Sequence, residues 1–160
     1  MSPQEILERL TSKFPDPAFG IEAKLDAQVD PFIKVSPQHI IEIAQFLRDD
    51  DELQFDFLSS LSGIDLKGKL GVVYHLFSIA KRHKITLRVE VPTDAAEVQS
   101  VESIWKTANW HEREAFDLFG IRFAGHPDMR RILLPYDWEG YPLRKDYQVP
   151  EFYNGMRVPY

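Results

Sequence analysis

Apolar positions along the chain change their spacing several times, and each change marks an element. Ser2-Pro3-Gln4-Glu5 sets an N-capping serine, a proline at the first helical position and a glutamate three residues after the cap. Ile6, Leu7 and Leu10 then form a short apolar stripe, which predicts a first helix. The run FPDPAFG stops it. Two short extended runs follow around Ile21–Asp26 and Phe32–Val35, and Pro31 confines the second to an edge position or a strand start. Ser36-Pro37 repeats the cap-then-proline signal, and Ile40, Ile41, Ala44 and Leu47 fall on one face of a second helix. The acidic run Asp49–Glu52 behind it reads as a solvated turn rather than a metal site.

Strand spacing takes over next. FDFLSSLSGIDL reads as an irregular strand, and LGVVYHLFSI, apolar on both faces, as a central one. In KITLRVEV the alternation is clean: Ile85, Leu87, Val89 and Val91 point one way, Thr86, Arg88 and Glu90 the other. AKRHK between these strands reads as a solvated basic hairpin loop. After Pro92 an acidic, partly helical stretch leads to a last helix. Asn109 and Glu112 have N-cap and N3 spacing for it, and Gly120 supplies a left-handed stop after Phe119. The order α-β-β-α-β-β-β-α predicts an α+β fold, a two-layer mixed β-sheet with helices packed on one side.

Beyond Gly125 neither period persists, so the chain divides into a globular domain, 1–125, and an extended C-terminal segment, 126–160. Five of the eleven prolines (Pro127, Pro135, Pro142, Pro150 and Pro159) and seven aromatics fall in these last 35 residues. A disordered linker would be poor in aromatics. Irregular segments longer than about 15 residues are functional or disordered, and this composition points to function.

Composition narrows the classes. The 160 residues are 44 % hydrophobic and 28 % charged, as in an ordinary globular domain with material for a core. A net charge of −6 argues against a polyanion binder. The absence of cysteine removes disulfides, cysteine-held iron–sulfur clusters, thiolate zinc and thiol catalysis. The opening residues fit neither a secretory signal nor a transit peptide. The longest uncharged apolar run, Leu70–Ala80, is about half of a bilayer span. Membrane association is therefore expected only through a partner.

Candidate chemistry concentrates in HEREAFDLFGIRFAGH, and most of it fails on spacing. A metalloprotease helix needs histidine at 115, where Ala115 stands, and a di-iron Glu-x-x-His pair fails at Glu112 and Glu114 alike. Gly120 and Gly125 have P-loop spacing, but His126 and Pro127 follow where lysine and a hydroxyl are needed. Arg113 lies one turn from Asp117, so an internal ion pair explains both. Capping explains Glu112. A small metal-dependent hydrolase using His111, Glu114 and His126 stays as an alternative.

The tail mixes arginine with aromatics, as single-strand nucleic-acid binders do. Residues 111–147 nevertheless hold six Lys/Arg against seven Asp/Glu, which argues for protein-to-protein ion pairing and against nucleic acid. PYDWEGYPLRKDY has the Arg, Trp and Tyr of an interface, with prolines that reduce the entropy lost on docking. The same segment could instead wrap its own sheet.

Five blocks in order carry a resemblance. Glu112-Arg113-Glu114, Asp117-Leu118-Phe119-Gly120, Gly125-His126-Pro127, Arg130-Arg131-Ile132-Leu133 and the DWEGYPLRKD run resemble the signature region of one family. It is the hydrophilic 30-kilodalton subunit, lettered C or J, of the complex I type NADH:quinone oxidoreductase. With FDFLSSLSGIDL and YHLFSI the resemblance covers roughly residues 35 to 147. It implies a non-catalytic subunit with no cofactor of its own, the iron–sulfur clusters, flavin and quinone belonging to partner subunits. It also implies a peripheral position on the cytoplasmic face of the inner membrane, through the complex. Its main partner would be the large hydrogenase-like subunit, beside other peripheral-arm subunits. Glu112, Arg113, Glu114, Asp117, Gly120, His126 and Pro127 are the family motif residues. Arg130, Arg131, Tyr136, Asp137, Trp138, Tyr141, Arg144, Lys145 and Asp146 are expected to bind the partner. The chain is short for the family's name, as in a compact bacterial form. Membrane-bound hydrogenases and formate hydrogenlyases carry homologous domains, usually fused or with weaker tails, and the intact DWEGYPLRKD favours the quinone-reducing complex.

Overall fold

The capping box closes as its residues predict. In the computed structural model, which describes residues 1–26 and 31–158, Ser2 Oγ accepts from the Glu5 N–H at 3.3 Å. The Glu5 carboxylate accepts from the Ser2 N–H at 2.6 Å. Helix α1 (Pro3–Lys13) follows and buries Ile6 and Leu10, with Leu7 packed beside them. Strands β1 (Glu22–Lys24) and β2 (Phe32–Lys34) come next, and Pro31 stands just before β2.

Helix α2 (Ile40–Asp49) starts three residues later than the Ser36-Pro37 signal implies. The Ser36 N–H donates to Phe19 O at 2.8 Å and its carbonyl accepts from the His39 N–H at 3.2 Å, so the segment makes a turn first. The buried face is Ile40, Ile43, Ala44 and Leu47, with Ile41 half-buried rather than central. The acidic run after α2 is only partly a solvated turn. Arg9 forks onto the Asp50 carboxylate at 3.0 and 2.9 Å, and the Glu52 and Leu53 N–H groups donate to it as well.

Three long antiparallel strands form the body of the sheet: β3 (Phe57–Asp65), β4 (Lys69–Ser78) and β5 (His83–Pro92). The order is β1-β2-β5-β4-β3, and the parallel β2–β5 pair makes the sheet mixed. Ile85, Leu87, Val89 and Val91 are buried, as the alternation predicts, facing Leu70, Val72, Tyr74 and Leu76 of β4 in one apolar cluster with α1 and α2. The opposite face carries half-exposed Val73, His75, Thr86 and Arg88. This is the two-layer α+β arrangement. The irregularity of β3 is a register shift between Leu58 and Ser60, where Ser59 Oγ donates to His75 O at 2.9 Å. The basic hairpin loop is solvated only in part, because His83 is buried and its Nε2 donates to Leu53 O at 2.7 Å.

The stretch after Pro92 holds one 3-10 turn and then a strand, β6 (Glu97–Gln99), where the sequence suggests partial helix. Helix α3 (Ala108–Phe119) comes next, followed by β7 (Arg122–Ala124), which pairs in parallel with β6. Both ends of α3 are thereby tied to one two-stranded ribbon. Gly120 ends α3 in the left-handed conformation, φ 73°. Thr107, not Asn109, holds the N-cap position, and no side chain caps it.

The last segment is irregular apart from a small hairpin, β8 (Phe152–Tyr153) and β9 (Met156–Arg157), turned on Asn154-Gly155 with φ 49° and 76°. Asn-Gly with both φ positive is the preferred two-residue hairpin turn. Pro159 lies outside the described residues.

Helix α3 approaches β3 closely only because Gly63 has no side chain. A Cβ there would stand 2.5 Å from the Phe119 ring. Gly63→Ala is expected to push α3 off β3 and lower stability by about 1–3 kcal/mol, read as a shifted urea midpoint at constant slope.

Candidate functional site

Helix α3 sets three carboxylates in six residues, and the fold sends each to a different environment. Asp117 is fully buried. Its Oδ2 accepts from the consecutive N–H groups of Ile132, Leu133 and Leu134 at 3.0, 2.7 and 2.9 Å. Arg131 Nη1 donates to Oδ1 at 2.7 Å and to the Asp117 carbonyl at 2.9 Å. Pro135, which has no N–H, follows at once, so the run of donors ends where the acceptor's reach ends. Burial alone would raise the Asp117 carboxyl. The Leu134 N–H, the Arg131 guanidinium and the Leu133 and Ile132 N–H groups outweigh it and hold the group below its ordinary value. The Arg113–Asp117 pair suggested by helical spacing does not form. Arg113 instead donates through Nε to Arg130 O at 3.2 Å and stands 3.9 Å from Asp128.

Arg131 carries the attachment onward. Its Nη2 donates to the carbonyls of Trp138 and Gly140, both at 3.0 Å, which folds the chain back over α3. Arg144 Nε then donates to Phe119 O at 2.6 Å, closing an orphan carbonyl at the end of the helix. Leu143 N–H does the same for Leu118 O at 3.1 Å. The Tyr141 ring lies beside both guanidiniums, 5.3 Å from that of Arg131 and 4.7 Å from that of Arg144. Gly120 makes room: a Cβ there would fall 2.5 Å from Tyr141 and 2.7 Å from Arg144. Lys145 N–H reaches Asp65 on β3 at 2.8 Å.

A second knot lies farther along. Trp138 Nε1 donates to the Tyr147 hydroxyl at 3.1 Å, and its ring meets Tyr153 at 5.0 Å. The Tyr153 hydroxyl donates to Asp137 at 2.8 Å. Much of the segment thus wraps its own domain. Of the residues expected to touch a partner, Arg131, Trp138, Tyr141 and Arg144 hold the segment together. Arg130, Asp137, Lys145 and Asp146 lie at its surface, and Tyr136 is 93 % exposed.

The remaining motif residues divide between internal contacts and the surface. His126 Nε2 donates to Asn109 O at 3.0 Å and its Nδ1 accepts from the Asp128 N–H at 2.9 Å, which leaves neither nitrogen for a metal. Among the described residues no three His, Asp or Glu side chains gather as a metal site. Pro127 is exposed. Glu112 is fully buried and does not cap α3. It accepts from Ser100 Oγ at 2.6 Å and from the Val101 N–H at 2.7 Å, tying the helix to the end of β6. Burial pushes its carboxyl up to about 7 against these two donors, with Glu102 adding to the rise. Glu114 is exposed.

The family described as "Respiratory-chain NADH dehydrogenase, 30 Kd subunit" matches residues 33–153, the span containing the three long strands and this clamp. The chain belongs to that family. It is 55 % identical over 120 residues to the C subunit of the NADH-quinone oxidoreductase of Chloroherpeton thalassium, covering 74 % of this chain and 50 % of that one. The corresponding protein of Chlorobium phaeobacteroides is 52 % identical over 122 residues, covering 74 % of each. The chain thus spans half of one relative and about three quarters of the other. The solved trypsin-resistant fragment (1-134) of Nqo5 superposes with a TM-score of 0.64 at 27 % identity, covering 80 % of this chain and 99 % of that one.

Two titrations of opposite sign follow from α3. Asp117 sits below its ordinary value of 3.8, so its contribution is full above that pH and is lost as pH falls through the lowered value. Asp117→Asn removes it at every pH and leaves Arg131 unpaired. The expected loss is about 3–5 kcal/mol, with faster proteolysis of the segment after residue 126 at pH 7. Glu112 sits above its ordinary 4.5, so its contribution is full below that pH and is lost as pH rises to about 7. Glu112→Gln is expected to flatten a fall in unfolding free energy on the order of 3 kcal/mol across this window. Denaturant titrations at a series of pH values measure both.

Proposed function

We propose that this chain is a non-catalytic structural subunit of a respiratory NADH:quinone oxidoreductase. In this reading residues 126–158 act as a preformed arm that docks on the large hydrogenase-like subunit. One observation carries it. Of the ten exposed large hydrophobic residues among the described ones, six lie on the arm: Leu133, Tyr136, Leu143, Val149, Phe152 and Met156. A backbone fixed by buried hydrogen bonds that points apolar side chains outward has the form of an interface. The relatives, named as C subunits of NADH-quinone oxidoreductases, supply the assembly.

In this reading the chain divides into a domain, 1–125, and the arm that follows it. No helix among the described residues is long and apolar enough to cross a membrane. In this reading the protein sits peripherally on the cytoplasmic face, held by the complex, and the clusters, flavin and quinone belong to its neighbours.

Purification through this chain from native membranes should recover the large subunit. Leu133→Ser with Tyr136→Ala should abolish that recovery, while the unfolding free energy of the purified chain stays within about 0.5 kcal/mol of the parent. Recovery of the parent chain alone, or full recovery of the complex by the double variant, would count against the arm as the docking element.

A further inference from the structure

Helix α3 keeps one face in water, and that face is not polar throughout. Trp110, Glu114 and Leu118 follow at four-residue spacing, which stacks them along one side of the helix. Trp110 is 65 % exposed, Glu114 is exposed and Leu118 half-exposed. Beside this stripe a groove of about 220 Å³ opens, lined by Glu114 and Leu118 of α3, Leu61 and Gly63 of β3 and Leu143 of the arm. Because Leu143 belongs to its lining, the groove is complete only while the arm is seated.

The Glu114 carboxylate at this place is unanswered, although the Arg113 guanidinium already lies 5.1 Å from the Trp110 ring. Glu112 and Asp117 take all their donors from within the protein, whereas Glu114 makes no hydrogen bond or ion pair with any described residue. A carboxylate between a tryptophan and a leucine, at the mouth of an apolar groove, is chemically matched to a cation on an aliphatic stem. The volume is below that of ordinary small-ligand pockets, roughly 300–1,000 Å³, and suits one long side chain. A phosphate-bearing partner would be repelled by Glu114. A second copy docked symmetrically through this face would set like charges together.

We propose that the Trp110–Glu114–Leu118 face and its groove receive a segment of the large subunit bearing an arginine or lysine flanked by apolar residues. This rests on the docking role proposed above and adds a second contact to it, on the domain rather than the arm. The cation pairs with Glu114, its stem enters the groove, and Trp110 covers the pair from water.

The test places a photo-crosslinking amino acid at position 114, and separately at 136, in the full chain within native membranes. Mass spectrometry then maps the adducts. Crosslinks from both positions to the large subunit, with that from 114 landing within two residues of an Arg or Lys, support the proposal. A crosslink from 136 with none from 114, or one from 114 to a stretch lacking a cation, overturns it and leaves the arm's role standing. No crosslink from either position overturns both. Glu114→Lys should lower recovery of the large subunit more than about tenfold without moving the unfolding midpoint, because reversal sets like charges together. Unchanged recovery would overturn the proposal.

Discussion

A carboxylate shut away from water must find its donors inside the protein, and Asp117 finds them in the arm. The arrangement of everything after residue 130 depends on this. Three consecutive N–H groups converge on one oxygen, which forces the chain at 132–134 to curl around the end of α3. The guanidinium that completes the set then holds the Trp138 and Gly140 carbonyls, so the same interaction that anchors the arm also turns it back. Helix α3 lies between the paired strands β6 and β7, which brings the segments that lead into and out of it together. Breaking a buried charged pair on one side is costly, since the remaining charge stays buried without a partner. Arm and domain are therefore coupled through this buried carboxylate, and the bonds from Leu143, Arg144 and Lys145 to α3 and β3 add to it.

The two other carboxylates of the helix show how position decides chemistry. Glu112, five residues earlier, is equally buried but has only two donors and no ion-pairing cation among the described residues, so burial wins and its carboxyl rises. Asp117 has four donating groups, one of them cationic, and the balance reverses. Glu114 points away from both and stays in water. The protonation responses of Glu112 and Asp117 run in opposite directions on a single helix: the first contributes less as pH rises toward 7, the second less as pH falls below its ordinary 3.8.

Local signals are legible where their causes are local. The capping box of α1, the alternation of β5 and the left-handed stop at Gly120 all follow from neighbours within a few residues, and all three form. The sequence misleads where a partner lies far along the chain. Helical spacing offers Arg113 to Asp117, and capping spacing offers Glu112 a role, but tertiary donors 11 to 17 residues away take both carboxylates. A clue is present: an aspartate and a glutamate on the buried side of an amphipathic helix require donors the helix cannot supply. Strands of three residues such as β6 and β7 leave too little pattern to read. The Asn154-Gly155 hairpin is different, because its turn chemistry is in plain view and only the surrounding prolines obscure it.

Intrachain contacts in the arm bear on how it would bind. A segment that orders only on association loses free energy to the ordering, about 0.5–1.5 kcal/mol for each immobilised long side chain. Here Arg131, Arg144, Trp138 and Tyr141 are immobilised beforehand by carbonyls and rings of their own chain, so that cost falls on folding instead. The residues held inside are the cationic and aromatic ones that composition alone would assign to an interface. Left outside are large apolar side chains such as Leu133, Tyr136 and Leu143, beside the charged Arg130, Asp137, Lys145 and Asp146. In the proposed docking the clamp and the contact surface are thus different residues of one segment, and strength at the first is what would make a small second one sufficient.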